Sequence, residues 1–552
     1  MDIKLPLTSP ECAARYRTLG IWRDVTLYEQ FSASAERYPD KTAIIDQSRR
    51  VTYAEFRRQV DNVAANLVAL GLNPGDVVAL QTWNSLEMPL LHLACNRVGL
   101  LYLPLHDGWR EPEMKHLLAL SKARMIVIPV EYRGFNHAQM VTGLQRSLPD
   151  LNHVFTLNGE APGCLLFSKL LAPCADVGPE ELQRRRPHPD MPATTMLSGG
   201  TTALSKISRF SSNDLLVLLD TFAKPGELSA DDIGAALAPA GTGSTGYVFP
   251  ILTPLMYGAT SVILTRWGDP DEALDLICAN HCTYAVGIPT QMTLLVPALE
   301  KRKVSDFADV RLFFNAGAPL TYETGFKIEN LMGCIVQCMY GTTDGGVPTV
   351  TSIRDPQEKR LGSVGRVTPG CERQLWDANG NQVPAGEVGE IVWRSADKSW
   401  GYLGDDEQTA QMFTNDHFYK SGDLGQIDSE GYLRIVGRVK DMILRGGRNI
   451  SPQSIEGPLM RHPGILDASV AAMPDPVLGE RACAFVMLRP GVELTFAEMI
   501  VFLKDEGLAV FQLPERLEIV ADLPRGPGGK VIKKALTEMV TEKLKHERKQ
   551  SA

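Results

Sequence analysis

The sequence of 552 residues has few cysteines, and the spacing of these cysteines fits neither a disulfide framework nor a zinc site. The ten cysteines are scattered singly, and no C-x-x-C pair occurs. Cys278, His281 and Cys282 could share one helical face, but no fourth ligand lies nearby in the sequence. We therefore interpret these three as packing residues of a half-buried helix.

The sequence also lacks the excess of basic residues that is typical of nucleic-acid-binding proteins. Its 65 acidic and 56 basic side chains give a net charge of −9, which argues against a nucleic-acid partner. From Asp441 onwards there are 15 acidic and 15 basic residues, so the whole −9 belongs to the first 440 positions. The chain is too long for a single hydrophobic core, and this change in net charge marks a boundary. We therefore predict two domains, 1–440 and 441–552.

A membrane-spanning segment is not expected. The one long uncharged run, residues 234–265, is interrupted by Pro239, Pro250 and Pro254, so a buried strand–helix–strand passage explains it better than a spanning helix. Residues 1–6 lack the charged and apolar regions of a signal peptide. We expect a cytoplasmic protein without a membrane partner.

Apolar periodicity predicts an α/β fold. A helical period over residues 53–72 is followed by a buried strand at 76–81, a helix at 85–98 and a second strand at 124–130, after a helix near 112–121. Residues 260–264, 284–287 and 311–315 continue the strand pattern. This alternation predicts parallel, doubly wound sheets covered by helices in a large N-terminal domain.

After Tyr340 the pattern changes to short strands separated by turns. Residues 362–393 and 418–436, with turns at 377–380 and 428–431, predict a small β-barrel-like unit that closes the large domain. Helices at 454–461 and 495–506 and strands at 465–472 and 482–488 predict a small α+β C-terminal domain.

The segment Ser198-Gly199-Gly200-Thr201-Thr202-Ala203-Leu204-Ser205-Lys206 has the chemistry of a polyphosphate cradle. Its glycines let backbone N–H groups approach an anion, and four hydroxyls and a lysine add donors. It is not a Walker sequence, since no Gly-Lys-Ser/Thr ends it. Taken alone, it could equally be a solvated turn rich in Ser and Thr.

Four further motifs follow in order. They are Tyr340-Gly341-Thr342-Thr343-Asp344, Tyr419-Lys420-Ser421-Gly422-Asp423, Gly437-Arg438-Val439-Lys440-Asp441 and Pro524-Arg525-Gly526-Pro527-Gly528-Gly529-Lys530. Together with the first motif they make the chain resemble the AMP-forming adenylating enzymes: acyl-CoA synthetases, adenylation domains and luciferases. The segments Leu197–Thr202 and Leu513-Pro514-Glu515-Arg516 are most similar to stand-alone aryl-acid–AMP ligases of the 2,3-dihydroxybenzoate type.

The resemblance implies a two-step reaction. A carboxylate attacks the α-phosphate of ATP in the presence of Mg²⁺ and releases pyrophosphate, and a phosphopantetheine thiol then displaces AMP. The expected partners are a small carboxylic acid and either CoA or a carrier protein acting in trans, with the chain a monomer or homodimer. Both steps collect negative charge, so cationic and hydrogen-bonding groups should dominate the site.

The same resemblance assigns roles to the residues of the first two motifs. Ser198, Gly199, Gly200, Thr201 and Thr202 would hold the β- and γ-phosphates. Lys206 would orient pyrophosphate, and Thr343 joins it in the catalytic set. Asp344 stands where the family usually has a Mg²⁺-ligating glutamate and is one methylene shorter, so ligation could run through water. A turn-capping aspartate is the alternative.

Nucleotide binding is assigned to a second set of residues. Asp423 would accept the ribose hydroxyls, with Arg438 reaching the ribose or phosphate. The adenine segment comprises Asn315, Ala316, Gly317, Tyr340, Gly341 and Thr342. A turn role for Asp423 and ordinary sheet-end packing for the adenine segment are the alternatives.

The resemblance places the adenylation lysine at Lys530, bridging the carboxylate and the α-phosphate; the alternative is a surface lysine of the basic tail. Lys440 occupies the hinge position. Rotation there would exchange Lys530 for the loop containing Gly446 and Gly447, which would line the thiol tunnel.

Departures from the family pattern bear on activity and specificity. Ala203, Ser205, Asp344 and Gly526 differ from the usual residues, which keeps open a non-catalytic nucleotide- or acyl-binding protein. We align Thr242-Gly243 with the His-Asn of dihydroxybenzoate ligases, and this loss favours a bulkier or less polar aryl or alicyclic acid. The predicted pocket also contains Tyr247, Val248, Leu252, Tyr284, Val286 and Gly287, although helix packing explains these apolar positions equally well.

Overall fold

The computed structural model describes residues 8–47, 49–198, 205–446, 448–525 and 531–551. The side chains of residues 449 and 548–551 lie outside this description. Contacts divide the chain into two compact units. Unit 1 comprises residues 1–373 and 393–419, and unit 2 comprises residues 374–392 and 420–552.

Two largely parallel sheets build unit 1. The nine-stranded sheet has the order Arg366–Val367, Gly346–Val350, Ile335–Thr342, Leu312–Asn315, Tyr284–Gly287, Ile233–Ala236, Thr260–Ile263, Thr42–Asp46 and Arg49–Thr52. The seven-stranded sheet has the order Lys206–Ser211, Pro192–Ser198, Leu101–His106, Val77–Thr82, Met125–Ile128, His153–Thr156 and Leu165–Leu166. A two-stranded ribbon, Glu131–Tyr132 with Phe135–Asn136, is antiparallel.

Helices cover both faces of each sheet. The α-helices of unit 1 are Pro10–Thr18, Leu27–Arg37, Tyr53–Ala69, Glu87–Arg97, Glu111–Ser121, His137–Gln145, Pro179–Arg184, Ser212–Ala223, Thr245–Tyr247, Thr253–Tyr257, Pro270–Ala279, Pro289–Leu299, Tyr322–Met332, Gln357–Gly362 and Asp406–Met412. Shorter turns of 3₁₀ or π type are Phe167–Leu171, Val248–Leu252 and Val304–Phe307.

Alternation along the strands explains the layers. Phe314 and Val286 face a large core that the two sheets share with helices Tyr53–Ala69, Glu87–Arg97 and Ser212–Ala223. The neighbouring Phe313 faces the opposite side of the sheet, into a second core with the outer helices. A third core lies on the outer face of the seven-stranded sheet. Unit 1 is therefore the doubly wound α/β structure that the sequence predicts.

Unit 2 contains most of a four-stranded sheet and a five-stranded sheet. The first is Glu372–Trp376, Val388–Arg394, Tyr419–Ile427 and Leu433–Arg438. The second is Arg448–Ile450, Ile443–Arg445, Gly479–Leu488 and Ile465–Asp475, with Arg516–Ile519 also paired to Gly479–Leu488. Its helices are Val439–Asp441, Pro452–Met460, Phe496–Asp505, Val510–Gln512 and Lys533–Ser551. A division by contacts does not report where a chain bends, so the boundary and hinge at Lys440 stay predictions.

Candidate active site

Strand ends bring several predicted residues of unit 1 together. Gly287 pairs with Asn315, each the last residue of its strand, and Asn315 pairs with Cys338 on the next parallel strand. In the other sheet, the amide N–H of Leu197 donates to the backbone oxygen of Thr242 at 2.9 Å. The substrate segment therefore lies beside the strand that ends at Ser198. The carboxyl edge of parallel strands is where α/β proteins bind ligands.

The phosphate segment is anchored at both ends. Ser198 and Lys206 are directly opposite each other on antiparallel strands, so residues 199–205 form the connection between them. Gly199, Gly200, Thr201, Thr202, Ala203 and Leu204 lie outside the described residues. Lys206 places its ammonium 4.6 Å from the centre of the Tyr402 ring, within cation–π range.

Asp344 lies in the turn between strands Ile335–Thr342 and Gly346–Val350, and only 9% of it is exposed. The hydroxyl of Ser208 donates to its Oδ1, and that of Tyr402 donates to its Oδ2 at 2.9 Å. Burial raises the pKa of Asp344, while these hydroxyls and the charge of Lys206 act to lower it. The carboxylate thus belongs to one network with Lys206.

The turn around Asp344 depends on glycine. Gly346 has φ +80°, and a Cβ there would lie 2.5 Å from Oδ1 of the buried Asp397. The backbone of Gly345 packs against the rings of Tyr419 and Trp393. A Cβ on this glycine would lie 2.4 Å from the Tyr419 ring and 2.7 Å from the Trp393 ring. These contacts fix Thr342, Thr343 and Asp344 at the strand end, since side chains at either glycine would displace the turn.

The chemistry around Asp344 is compatible with Mg²⁺. A carboxylate oxygen that accepts one hydrogen bond keeps a lone pair for a further partner. Among the described residues no group of three or more His, Cys, Asp or Glu could hold a metal. Mg²⁺ in nucleotide sites typically takes one or two carboxylates together with substrate phosphates and water, and Asp344 meets that requirement.

The adenine segment offers a buried acceptor. Asn315 is 2% exposed, and its side-chain Oδ1 has no hydrogen-bond partner among the described residues. Gly317 has φ +92°, so the chain turns away after Ala316. Tyr340 packs edge-on against Trp393 with ring centres 5.9 Å apart. An unpaired buried carbonyl is costly unless a ligand donor satisfies it.

The predicted substrate-pocket residues fall into two groups. Thr242 is partly exposed and its hydroxyl lies 2.9 Å from that of Ser244. A Cβ on Gly243, which has φ +73°, would lie 2.6 Å from Pro104. Buried members of the large core make up the second group: Tyr247, Val248, Leu252, Tyr284 and Val286. The Tyr247 hydroxyl lies 2.8 Å from His92 Nδ1, which accords with packing; the pocket role stays a prediction.

Unit 2 holds the predicted ribose pair. Asp423 and Arg438 are directly opposite on neighbouring strands, and the guanidinium Nε donates to Asp423 Oδ1 at 2.5 Å. Asp423 is 6% exposed. The carboxylate is therefore oriented by an arginine in the same sheet. The ribose role of this pair stays a prediction.

The remaining predicted residues of unit 2 lie near its turns. Lys440 is in the short helix Val439–Asp441. Gly446 has φ +54° and donates its N–H to Leu478, in the turn between paired Arg445 and Arg448. Gly447, Gly526 and Lys530 lie outside the described residues.

Sequence reasoning missed Ser208 and Tyr402. Neither is in a motif that the sequence analysis singled out, and they lie 136 and 58 residues from Asp344 in the chain. The only sequence signal is a tyrosine between Gly401 and Gly404. The Cys278 segment forms no cluster with other metal ligands among the described residues; Cys278 Sγ contacts the backbone oxygen of Asp306, and Cys282 is buried.

No helix in the described part of the chain combines the length and apolar character needed to cross a bilayer.

Known proteins resemble this chain over most of its length. The family model of AMP-binding enzymes matches residues 31–403, and that of the AMP-binding enzyme C-terminal domain matches residues 454–530. The chain is 30% identical over 548 residues to the medium-chain fatty-acid–CoA ligase of Escherichia coli K12, covering 98% of this chain and 95% of that one. It is also 30% identical over 539 residues to the 2,3-dihydroxybenzoate-AMP ligase of Bacillus subtilis, covering 97% of both.

A solved structure extends the likeness to three dimensions. ATP-bound MatB from Rhodopseudomonas palustris superposes with a TM-score of 0.84 at 28% identity, covering 94% of this chain and 99% of that one. The family models together match most of the chain, and the relatives span its length. The chain belongs to the family of AMP-binding enzymes.

Proposed function

We propose that this enzyme activates an aryl or alicyclic carboxylic acid with ATP and transfers the acyl group to the phosphopantetheine thiol of CoA. The observation that carries the proposal is the network of Lys206, Tyr402 and Asp344 beside the phosphate segment. A buried carboxylate and an ammonium at the base of one anion-binding connection suit a nucleotide polyphosphate and its metal ion.

Each predicted residue would contact a different part of the nucleotide. Ser198 and Lys206 would contact the β- and γ-phosphates, Asn315 Oδ1 would accept a hydrogen bond from the adenine amino group, and Asp423 would accept the ribose hydroxyls. Mg²⁺ would be held by Asp344 and would neutralise phosphate charge. Arg438 keeps the Asp423 carboxylate oriented, since the two form an ion pair.

The chemistry requires little beyond positioning and charge neutralisation. An acid oxygen attacks the α-phosphorus, the bond to the β-phosphate oxygen breaks, and pyrophosphate leaves. Lys206 would orient the leaving group, and Lys530 would bridge the acid and the α-phosphate. A thiol then attacks the acyl carbon and AMP departs with the carboxylate oxygen.

An acceptor other than CoA is the second candidate. Relatives include a CoA ligase and an AMP ligase at equal identity, so loading of a carrier protein in trans remains a candidate for this chain. A non-catalytic binding protein is not favoured, because Lys206, Asp344, Asp423 and Arg438 are all present. Lys206 and Asp344 both contact Tyr402, and Arg438 donates to Asp423.

The test is acid-dependent exchange of radiolabelled pyrophosphate into ATP over a panel of aryl, alicyclic and fatty acids. We expect exchange with aryl or alicyclic acids, followed by thioester formation when CoA is added. Thioester formation only with a carrier protein would replace CoA as the acceptor. Exchange with no acid, despite ATP binding, would refute the proposed activity.

A further inference from the structure

The segment 399–403 is attached by its backbone to the elements that carry Lys206 and Asp344. The N–H of Leu403 donates to the backbone oxygen of Ile207 at 2.8 Å, and the N–H of Trp400 donates to that of Arg209 at 2.8 Å. In return, the N–H of Arg209 donates to the backbone oxygen of Gly401 at 3.2 Å, and Ser208 and Tyr402 form an antiparallel bridge. The N–H of Ser399 donates to the backbone oxygen of Asp344 at 3.0 Å. The segment therefore fixes the Asp344 turn to the strand Lys206–Ser211.

Tyr402 sits at the centre of this arrangement and is 5% exposed. Its hydroxyl donates to Asp344 Oδ2 at 2.9 Å. Its ring provides the face over which Lys206 lies at 4.6 Å. Tyr402 thus contacts both Lys206, at one end of the phosphate connection, and the Asp344 carboxylate.

The backbone of Tyr402 is held independently of these contacts. Its N–H donates to Thr409 Oγ1 at 2.9 Å. Gly401 has φ +81°, and a Cβ there would lie 2.3 Å from the same threonine. Because the tyrosine backbone is fixed, its hydroxyl and ring hold their partners at defined positions rather than following them.

Two hydroxyls on different oxygens define the plane of the Asp344 carboxylate, with Ser208 on Oδ1 and Tyr402 on Oδ2. A side chain one methylene shorter than glutamate has less reach, so its orientation decides which lone pair points toward a metal-bound nucleotide. Removing one hydroxyl frees the carboxylate to rotate.

We propose that Tyr402 is a positioning residue of the nucleotide site. Its hydroxyl orients the Asp344 carboxylate, and its ring holds the Lys206 ammonium in place by a cation–π contact. The proposal rests on the proposed function, since it assigns the two partners to ATP and its metal ion. The hydroxyl and the aromatic ring of Tyr402 thus have separate roles, and different substitutions can test each of them.

The test compares Tyr402→Phe with Tyr402→Leu by calorimetric titration of ATP, with and without Mg²⁺, on the purified full chain. Tyr402→Phe keeps the ring, so we expect about tenfold weaker binding of MgATP, the effect of one lost hydrogen bond to a charged group. Binding of metal-free ATP should change less than about twofold. Tyr402→Leu should weaken the binding of both MgATP and metal-free ATP, because Lys206 loses its contact with the aromatic ring.

A double substitution and a matched control complete the experiment. In an Asp344→Asn background, Tyr402→Phe should weaken MgATP binding by less than about twofold further, because its partner is already changed. Tyr53→Phe also removes a buried hydroxyl, one that donates to Pro254 and Ala259, and should leave both affinities unchanged.

Equal weakening of metal-free and Mg²⁺-bound ATP by Tyr402→Phe, or the same loss in the Asp344→Asn background, would overturn the proposal. So would unchanged MgATP affinity. These measurements use nucleotide alone and involve no acid. Absence of pyrophosphate exchange in the wild type would therefore count against the proposed activity and leave the binding comparison intact.

Discussion

At the scale of single residues, the substitution of aspartate for the family's usual glutamate has a structural context. Both oxygens of Asp344 accept hydroxyl donors, from Ser208 and Tyr402. The motif identified Asp344 as a candidate, because its neighbours are contiguous in sequence. Its partners could not be predicted, since they come from distant segments whose meeting depends on the sheet order.

Asp423 and Arg438 come from separate short motifs, and the structure pairs them across one strand register. Their roles in nucleotide binding stay predictions. Tyr247 is a different case. A tyrosine after a glycine-rich segment suits a pocket wall and a core equally well, and only the contact with His92 distinguishes its surroundings.

The residue-scale prediction concerns Lys530. Lys530→Ala should abolish acid-dependent pyrophosphate exchange, because the charge that bridges acid and α-phosphate is lost. Thioester formation from supplied acyl adenylate should be spared. The exposed Lys534→Ala, from the same basic tail, is the matched control and should retain both steps. Equal loss of both steps in Lys530→Ala would contradict its assigned role.

At the scale of elements, buried strands were the most predictable features. The strand at 284–287 has the predicted bounds, and those at 260–264 and 311–315 differ by one residue at one end. Their apolar runs end at turn residues, so length and burial define them. The helix Lys533–Ser551 was not predicted; its sequence is highly charged, and Leu536 and Val540 are the residues that bury it.

The element-scale prediction concerns the helix Glu87–Arg97. His92, fully buried in it, contacts Tyr247 and Thr194, and burial lowers its pKa from 6.5 to about 3. Below pH 6.5 the unfolded chain takes up a proton that the folded chain excludes. Stability is therefore lost as the pH falls, by about 2 kcal/mol in the free energy of unfolding between pH 7.5 and pH 5.

Thermal unfolding of the wild type and of His92→Gln at these two pH values measures this effect. The variant is expected to be less stable at pH 7.5, since it loses buried hydrogen bonds, but to lose less stability on acidification. His281→Gln changes an exposed histidine and should lose as much stability on acidification as the wild type. The same loss in His92→Gln as in the wild type would show that another group is responsible.

At the scale of the whole molecule, net charge was a poor guide to the site. The first 440 residues carry all of the −9, yet the candidate site is built around Lys206 and buried polar groups. Composition predicted two compact units and argued against a nucleic-acid partner, because both inferences follow from totals. The candidate site could be located only once the strand order was known. A hydrogen bond from Leu197 to Thr242 brings the strand that ends at Ser198 next to the substrate segment.

The central claim, that the chain forms an acyl adenylate, is tested most directly by following the carboxylate oxygen. An acid that supports exchange is labelled with ¹⁸O in its carboxylate, and the reaction is run with ATP and the accepting thiol. Attack of the acid on the α-phosphorus, followed by thiol displacement, predicts one ¹⁸O atom in the AMP phosphate, measured by mass spectrometry. Label in inorganic phosphate or pyrophosphate, or unlabelled AMP alongside thioester, would contradict the account.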